Sequence, residues 1–457
     1  MTLADTVHLK DGRILRLDSC TRVGEELQCR RAGGLVGISM EQVDRVDASP
    51  AAPSGARGQA GALKASSPKA TPGPAKEPLT VEYELAMLPG VDLNAATAQA
   101  RIDELAARVG SGARRGTDDT AVRREISVLH TYLGNLAMQR RDYEEGEASY
   151  SRALGYDPGL LIARLNRSTA LINLTRYEEA ESELRPLLSE QPDNARALEL
   201  AGEVAFQTGH LEDAIDLWEK SLALRDKEGL RARLEKVKRL GAAEQGFLSS
   251  TAAHFTLKFD GEEATEELAR QILSHLEEAY AELSTRFAHF PGAVIQVTLY
   301  PKQTFHDVTE SPAWVGGLYD GQMRIPIGGL THLTPQARRV LTHELTHSFI
   351  STKTRGAAPQ WIQEGMAQVA EGKTTGARRA QIAQECAAVG EQACWRDFSY
   401  PKALSQVEFF LDTWSQSQLN DLLEQLGKGA AFDAAMRTAI GQSEAEFKSA
   451  WIRWLSP

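Results

Sequence analysis

The sequence predicts a multidomain α+β protein: a small β-rich N-terminal module, an α-solenoid, and a C-terminal domain of strands and helices that carries a metal site. Three observations carry that expectation. The first 48 residues hold short runs of alternating polarity, residues 128–229 repeat with a period of 34, and His343-Glu-Leu-Thr-His347 is followed by Glu364. A chain of 457 residues, 42% of them hydrophobic, has material for two sizeable cores and a small one. Its net charge of −11 argues against nucleic acid or an anionic membrane as the main partner. No apolar run approaches the ~20 residues of a transmembrane helix.

In the N-terminal module, residues 7–17 and 35–40 alternate like strands, with Asp11-Gly12 and Gly33-Gly34 as turns. Residues 1–48 are therefore expected to form a β-barrel-like module. Residues 49–78 are an Ala/Pro/Gly/Ser linker too poor in hydrophobic residues to fold. Its cations Arg57, Lys64, Lys69 and Lys76 are too few and too widely spaced for a strong phosphate footprint.

Residues 79–240 read as helical. Tyr143-Glu-Glu-Gly, Tyr177-Glu-Glu-Ala and Leu211-Glu-Asp-Ala recur at intervals of 34, as do the small residues Gly134, Ser168 and Gly202. Gly146, Ala180 and Ala214 keep the same step, and Pro158 and Pro192 mark repeat ends. This helix-turn-helix pattern resembles the tetratricopeptide repeat, with about three units over 128–229 and a preceding helical run near 93–109. Such repeats stack into a concave surface. Two roles stay open for it: binding a peptide or protein partner, or serving as a scaffold for the C-terminal domain.

That domain is expected over 247–457. Thr334-Pro335 is a helix start, and Ala337, Val340, Leu341, Leu345 and Phe349 recur at helical spacing. His343 and His347 thus lie one turn apart on one face, able to share a metal, with Glu344 beside them to reach a bound water. Pro359 starts a second helix, closed by Gly372, which carries Glu364 toward the histidines. Three protein ligands leave the fourth position open, as catalytic zinc requires. Just upstream, Asp320-Gly321 is a hairpin turn, and Gly316-Gly317 leaves backbone unshielded beside a strand fit to pair with an extended peptide. The other eight histidines show no ligand spacing.

From about residue 253 onward these features resemble the peptidase MA-like family, a gluzincin (thermolysin-like) branch of zinc peptidases. The shared order is Phe255–Phe259, a long helix, Val294–Tyr300, the glycine-rich stretch from Trp314 to Gly321, the His-Glu-Leu-Thr-His helix and Pro359–Ala367. The resemblance implies a mixed sheet flanked by helices and a helical subdomain after Glu364. It also implies one Zn2+ held by His343, His347 and Glu364, with Glu344 as general base in peptide-bond hydrolysis. Tyr400 occupies the stretch where similar enzymes supply a donor to the oxyanion. Many gluzincins have an aspartate four residues after the third ligand, whereas this chain has Gln368, whose carbonyl is still able to accept from an imidazole N–H. The alternative function is a repeat-based binding scaffold whose peptidase-like domain is inactive or holds metal structurally.

Cysteines fall in two local pairs, Cys20/Cys29 and Cys386/Cys394, each spaced for a short disulfide loop. The first residues have neither a basic n-region nor an apolar h-region. Together these lead to the expectation of an exported protein, periplasmic or extracellular, whose leader is absent from the sequence. A cytoplasmic protein with four thiols is the alternative.

Overall fold

The computed structural model describes residue 79, residues 94–110, 117–262, 264–309, 317–327, 330–376 and 378–455, and strand backbone within 5–47. The chain divides into two units, residues 1–66 and 67–457. In the first, six short strands pair antiparallel as two three-stranded sheets. The expected barrel closure, the Cys20/Cys29 bond and the linker over 49–78 lie outside the described residues.

The second unit begins with the solenoid. Helices Thr117–Gln139 and Tyr143–Tyr156, Leu161–Asn173 and Tyr177–Glu190, and Ala195–Gln207 and Leu211–Leu224 form three successive pairs, followed by Glu228–Ala243. The periodic small residues have a steric cause. A Cβ at Gly134 would stand 2.5 Å from the Tyr150 ring, and one at Gly202 would stand 2.4 Å from that of Trp218. Both aromatic side chains are fully buried, so each pair closes only because its first helix lacks a side chain there. The helix Ala95–Gly110 precedes the array, packing Ala98, Ile102 and Leu105 against Val122, Ile126 and Leu129.

A five-stranded mixed sheet follows, in the spatial order Leu318–Tyr319, Met323–Pro326, Ile295–Tyr300, Phe255–Phe259, Leu248–Thr251. The central strand, Ile295–Tyr300, is buried along its whole length and runs parallel to both neighbours, while the two outer pairs are antiparallel. The helix Glu266–Phe287 buries Leu268, Leu276 and Leu283 in the same core as Phe255, Leu257 and Phe259. Beyond residue 378 the described chain is helical, and Phe410, Phe447 and Trp451 join that core. Cys386 and Cys394 are disulfide-bonded across the gap between helices Arg378–Val389 and Glu391–Arg396. Among the described residues no helix is long and apolar enough to cross a membrane.

The solenoid is built into this domain. Phe206, Trp218, Leu230 and Leu240 share a core with Tyr300, Phe305 and Val308. Gln322 donates to the Phe206 carbonyl at 2.5 Å, and Lys258 donates to that of Gly209 at 2.7 Å. At the centre sits Arg324, fully buried, within 3.4 Å of Asp320, 3.5 Å of Glu244 and 3.1 Å of the Tyr300 hydroxyl. Lys236, from the last solenoid helix, pairs with Asp320 at 2.6 Å. Burial would raise the Asp320 carboxyl, but Arg324 and then Lys236 hold it below the usual range. This network pins the hairpin at the sheet edge to the solenoid.

Candidate metal centre

The helix Pro335–Thr354 begins where Thr334 caps it, accepting from the Ala337 N–H at 3.2 Å. It ends at Arg355 and Gly356, both left-handed with φ of 53° and 74°. Leu341, Leu345 and Phe349 bury one side, which fixes the rotation of the helix and leaves His343 and His347 at the site. Pro359 then opens the helix Gln360–Ala370, which carries Glu364. The Nε2 atoms of His343 and His347 lie 3.6 Å and 3.8 Å from the same Glu364 oxygen, Oε2. One ligand atom from each of the three residues falls within 4.8 Å of the others, the single such cluster found among the described residues.

Glu364 Oε2 is buried and has no hydrogen-bond partner. Leaving a carboxylate oxygen so costs several kcal/mol unless something positive meets it. Both imidazole nitrogens face it from beyond hydrogen-bond range, which is the spacing of ligands gathered round one small cation at ~2 Å from each. The donor set, two imidazoles and a carboxylate, suits zinc. The residues present therefore fit the metal that the motif implies.

The outer nitrogens of both rings are held. His343 Nδ1 donates to Glu371 Oε1 at 2.6 Å, and Lys373 pairs with the other Glu371 oxygen at 2.7 Å. His347 Nδ1 donates to Gln363 Oε1 at 3.3 Å. Gln368 does neither job. Its Nε2 donates to the carbonyls of Glu364 and Tyr400, at 3.0 Å and 2.9 Å, tying the helix that carries Glu364 to the helix that begins at Tyr400. The capacity of the Gln368 carbonyl to accept from an imidazole is not used. The amide is spent on backbone, and the carboxylate at the histidine comes from Glu371, two turns beyond Glu364 on the same helix face.

Glu344 is buried at 6% exposure, and burial pushes its carboxyl up to about 7; nearby His343 opposes the rise, while Glu364 and Glu371 add to it. Burial works against a proton on His343, yet the nearby Glu364 carboxylate, the hydrogen bond to Glu371 and the charge of Glu344 raise it to about 10. The buried carboxylates draw positive charge to this spot. Gly317 backs onto Glu344: a Cβ there would stand 2.6 Å from Glu344 Oε1. The edge strand Leu318–Tyr319 starts at the next residue, as the hairpin reading anticipated. Trp314 and Gly316 lie outside the described residues.

Gly365 has a close-packing cause, since a Cβ would stand 2.4 Å from the Ala403 carbonyl oxygen. Its absence lets the helix Tyr400–Thr413 lie against the helix that carries Glu364. Tyr400 arrives beside the site in this way. Burial raises its phenol above the usual range, and the charges of Glu364 and Glu344 add to the rise.

Residues 293–457 match the Peptidase MA superfamily, and residues 132–184 and 165–228 match the Tetratricopeptide repeat. The chain carries a Peptidase MA superfamily domain preceded by tetratricopeptide repeats. Among curated proteins, the Hsp70-Hsp90 organizing protein of Triticum aestivum is 32% identical over 111 residues. That match spans 24% of this chain and 19% of the relative, so the chain covers about a fifth of that protein's length. The structure brings together His343, Glu344, His347, Glu364 and Tyr400 in this Peptidase MA domain. Glu371, Gln363 and the buried Arg324 were not anticipated. The i+7 relation of Glu371 to Glu364 was the available signal for the first of these.

Proposed function

We propose that the chain is a zinc-dependent metallopeptidase that hydrolyses peptide bonds in extended polypeptide. One observation carries this reading most: two imidazole nitrogens converge on an orphaned buried carboxylate oxygen, with a second carboxylate, Glu344, held against an edge strand. His343, His347 and Glu364 would hold the ion. When bound, zinc supplies Lewis-acid polarisation of a carbonyl and acidification of a water.

The protein's own groups do the rest. Glu371 and Gln363 fix both imidazoles with Nδ1 protonated, so that each Nε2 stays free to ligate. Glu344 takes the proton from the attacking water and returns it to the leaving amine; a carboxylate poised near neutrality suits both transfers. The edge strand Leu318–Tyr319 offers backbone groups that align the substrate beside Glu344. Tyr400 donates its hydroxyl proton to the oxyanion through a hydrogen bond and keeps that proton at the end, as its raised pKa favours. The repeats contribute to recognising protein chains.

The test pairs zinc quantification with peptide-library cleavage for wild type and Glu344→Gln. The expected result is one zinc in both proteins and cleavage by wild type alone. Equal cleavage removes Glu344 from the mechanism, and a protein that binds no metal ends the reading. Tyr400→Phe with an unchanged turnover number excludes the tyrosine.

A further inference from the structure

The carboxamide of Asn173, at the end of a repeat helix, is engaged on both sides by one residue from far away in sequence. The Leu79 N–H donates to Asn173 Oδ1 at 2.9 Å, and Asn173 Nδ2 donates to the Leu79 carbonyl at 2.9 Å. A residue presents its own N–H and C=O on the same side only when extended, as in a hydrogen-bonded strand pair. Asn173 therefore acts as a one-residue strand that reads backbone and ignores sequence. The Leu79 side chain packs on the cluster that includes Leu165, Leu171 and Leu184.

Asn173 also lines a narrow cleft of about 80 Å3 between the repeats and the peptidase domain. Tyr143 and Gln207 line it from the repeats, and Tyr319 and Ser348 from the other wall. The Tyr143 side chain is 2% exposed, and its hydroxyl has no hydrogen-bond partner. Two relations join this cleft to the catalytic machinery. Ser348 lies one helical turn beyond Glu344 on the ligand helix. Tyr319 is two residues, ~7 Å of strand, from the Gly317 backbone that touches Glu344.

We propose that the surface running from Asn173 along this cleft is an exosite for an extended, unfolded polypeptide, continuous with the edge strand, and that Leu79 occupies the Asn173 position of that surface in the resting chain. This deepens the peptidase reading by naming its substrate class: long, unstructured chains that span from the edge strand to Asn173. Such a substrate must displace Leu79, so the resident residue lowers the apparent affinity of every incoming chain.

The binding test is independent of catalysis. It uses the full chain with Glu344→Gln and a fluorescein-labelled heptapeptide copying residues 76–82, followed by fluorescence anisotropy. Leu79→Asp, which evicts the resident side chain, is expected to tighten peptide binding about tenfold. Adding Asn173→Ala is expected to weaken it about tenfold or more, the effect of losing two hydrogen bonds. Asn173→Asp, which keeps an acceptor and loses the donor, should fall between, and it guards against a misfolded alanine variant. Absence of peptide binding in every protein overturns the exosite, as does equal affinity with and without Asn173. With active enzyme, Asn173→Ala should raise KM for an unfolded protein by a larger factor than for an octapeptide too short to bridge the cleft. If wild type cleaves nothing, the peptidase reading fails while the anisotropy result still decides the exosite.

Discussion

Replacing Glu371 should weaken zinc binding in a way that replacing Gln368 does not. Glu371 sits outside the ligand set, yet its carboxylate accepts from His343 Nδ1 at 2.6 Å and its side chain is 8% exposed. A charge-assisted bond of that length in a water-poor setting orients the ring and makes its Nε2 more basic. Loss of such a partner costs metal affinity by about 10–100-fold, or ~1.4–2.7 kcal/mol. Lys373, half exposed, pulls on the other oxygen but is screened by solvent, so it takes little from this. Glu371→Gln keeps an acceptor and removes the charge, and Glu371→Ala removes both, so their difference separates orientation from basicity. The neutral bond from His347 to Gln363 is longer, at 3.3 Å, and Gln363→Ala should cost less than about tenfold. Gln368→Ala breaks two backbone contacts and no imidazole contact, so it should lower thermal stability and leave zinc affinity near wild type. The assay is competition against a chromophoric chelator at fixed pH. Zinc affinity unchanged in Glu371→Ala, or lowered as much in Gln368→Ala, would refute the assignment of the orienting role.

Three further outcomes are expected. Gly317→Ala puts a methyl group 2.6 Å from Glu344 Oε1, so cleavage should fall by about tenfold or more with zinc content unchanged; full activity would mean the glycine backbone yields freely. Gly202→Ala presses on the Trp218 ring at 2.4 Å and should destabilise the chain by about 1–3 kcal/mol in urea unfolding, whereas an unchanged midpoint would show that the repeat pair relaxes without cost. Asp320 has a folded pKa below its ordinary 3.8, so its stabilisation is present above 3.8 and is lost as pH falls through the lower folded value. Asp320→Asn should therefore lower stability at neutral pH and flatten the fall of stability with acid below 3.8, as followed by circular dichroism. An unaltered acid limb would mean that the Arg324 network holds the hairpin without Asp320.

How much of this was legible in the sequence depended on whether the cause was local. The ligand helix was readable because its cap, its apolar face and both histidines lie within one 20-residue segment, so spacing alone fixes their geometry. The repeats were readable because small residues recur every 34 positions, at Gly134, Ser168 and Gly202, and at the two glycines the cause is steric: Gly134 opposes Tyr150 and Gly202 opposes Trp218. The role of Gln368 was not legible because a glutamine offers a donor as well as an acceptor, and only the approach of the helix Tyr400–Thr413 decides which is used. Arg324 was invisible for a related reason. A charged residue in a short strand reads as exposed, and its burial is tolerable only because Glu244 arrives from the end of the solenoid to join Asp320 and the Tyr300 hydroxyl around it. That network changes what the repeats are. A tethered recruitment module would leave the hairpin mechanically independent of the repeats, whereas here the end of the solenoid and the hairpin are joined through Lys236–Asp320 and Glu244–Arg324. Disturbing the solenoid should therefore reach Gly317 and Glu344 through Asp320 and Arg324, without any contact between the repeats and the candidate metal site.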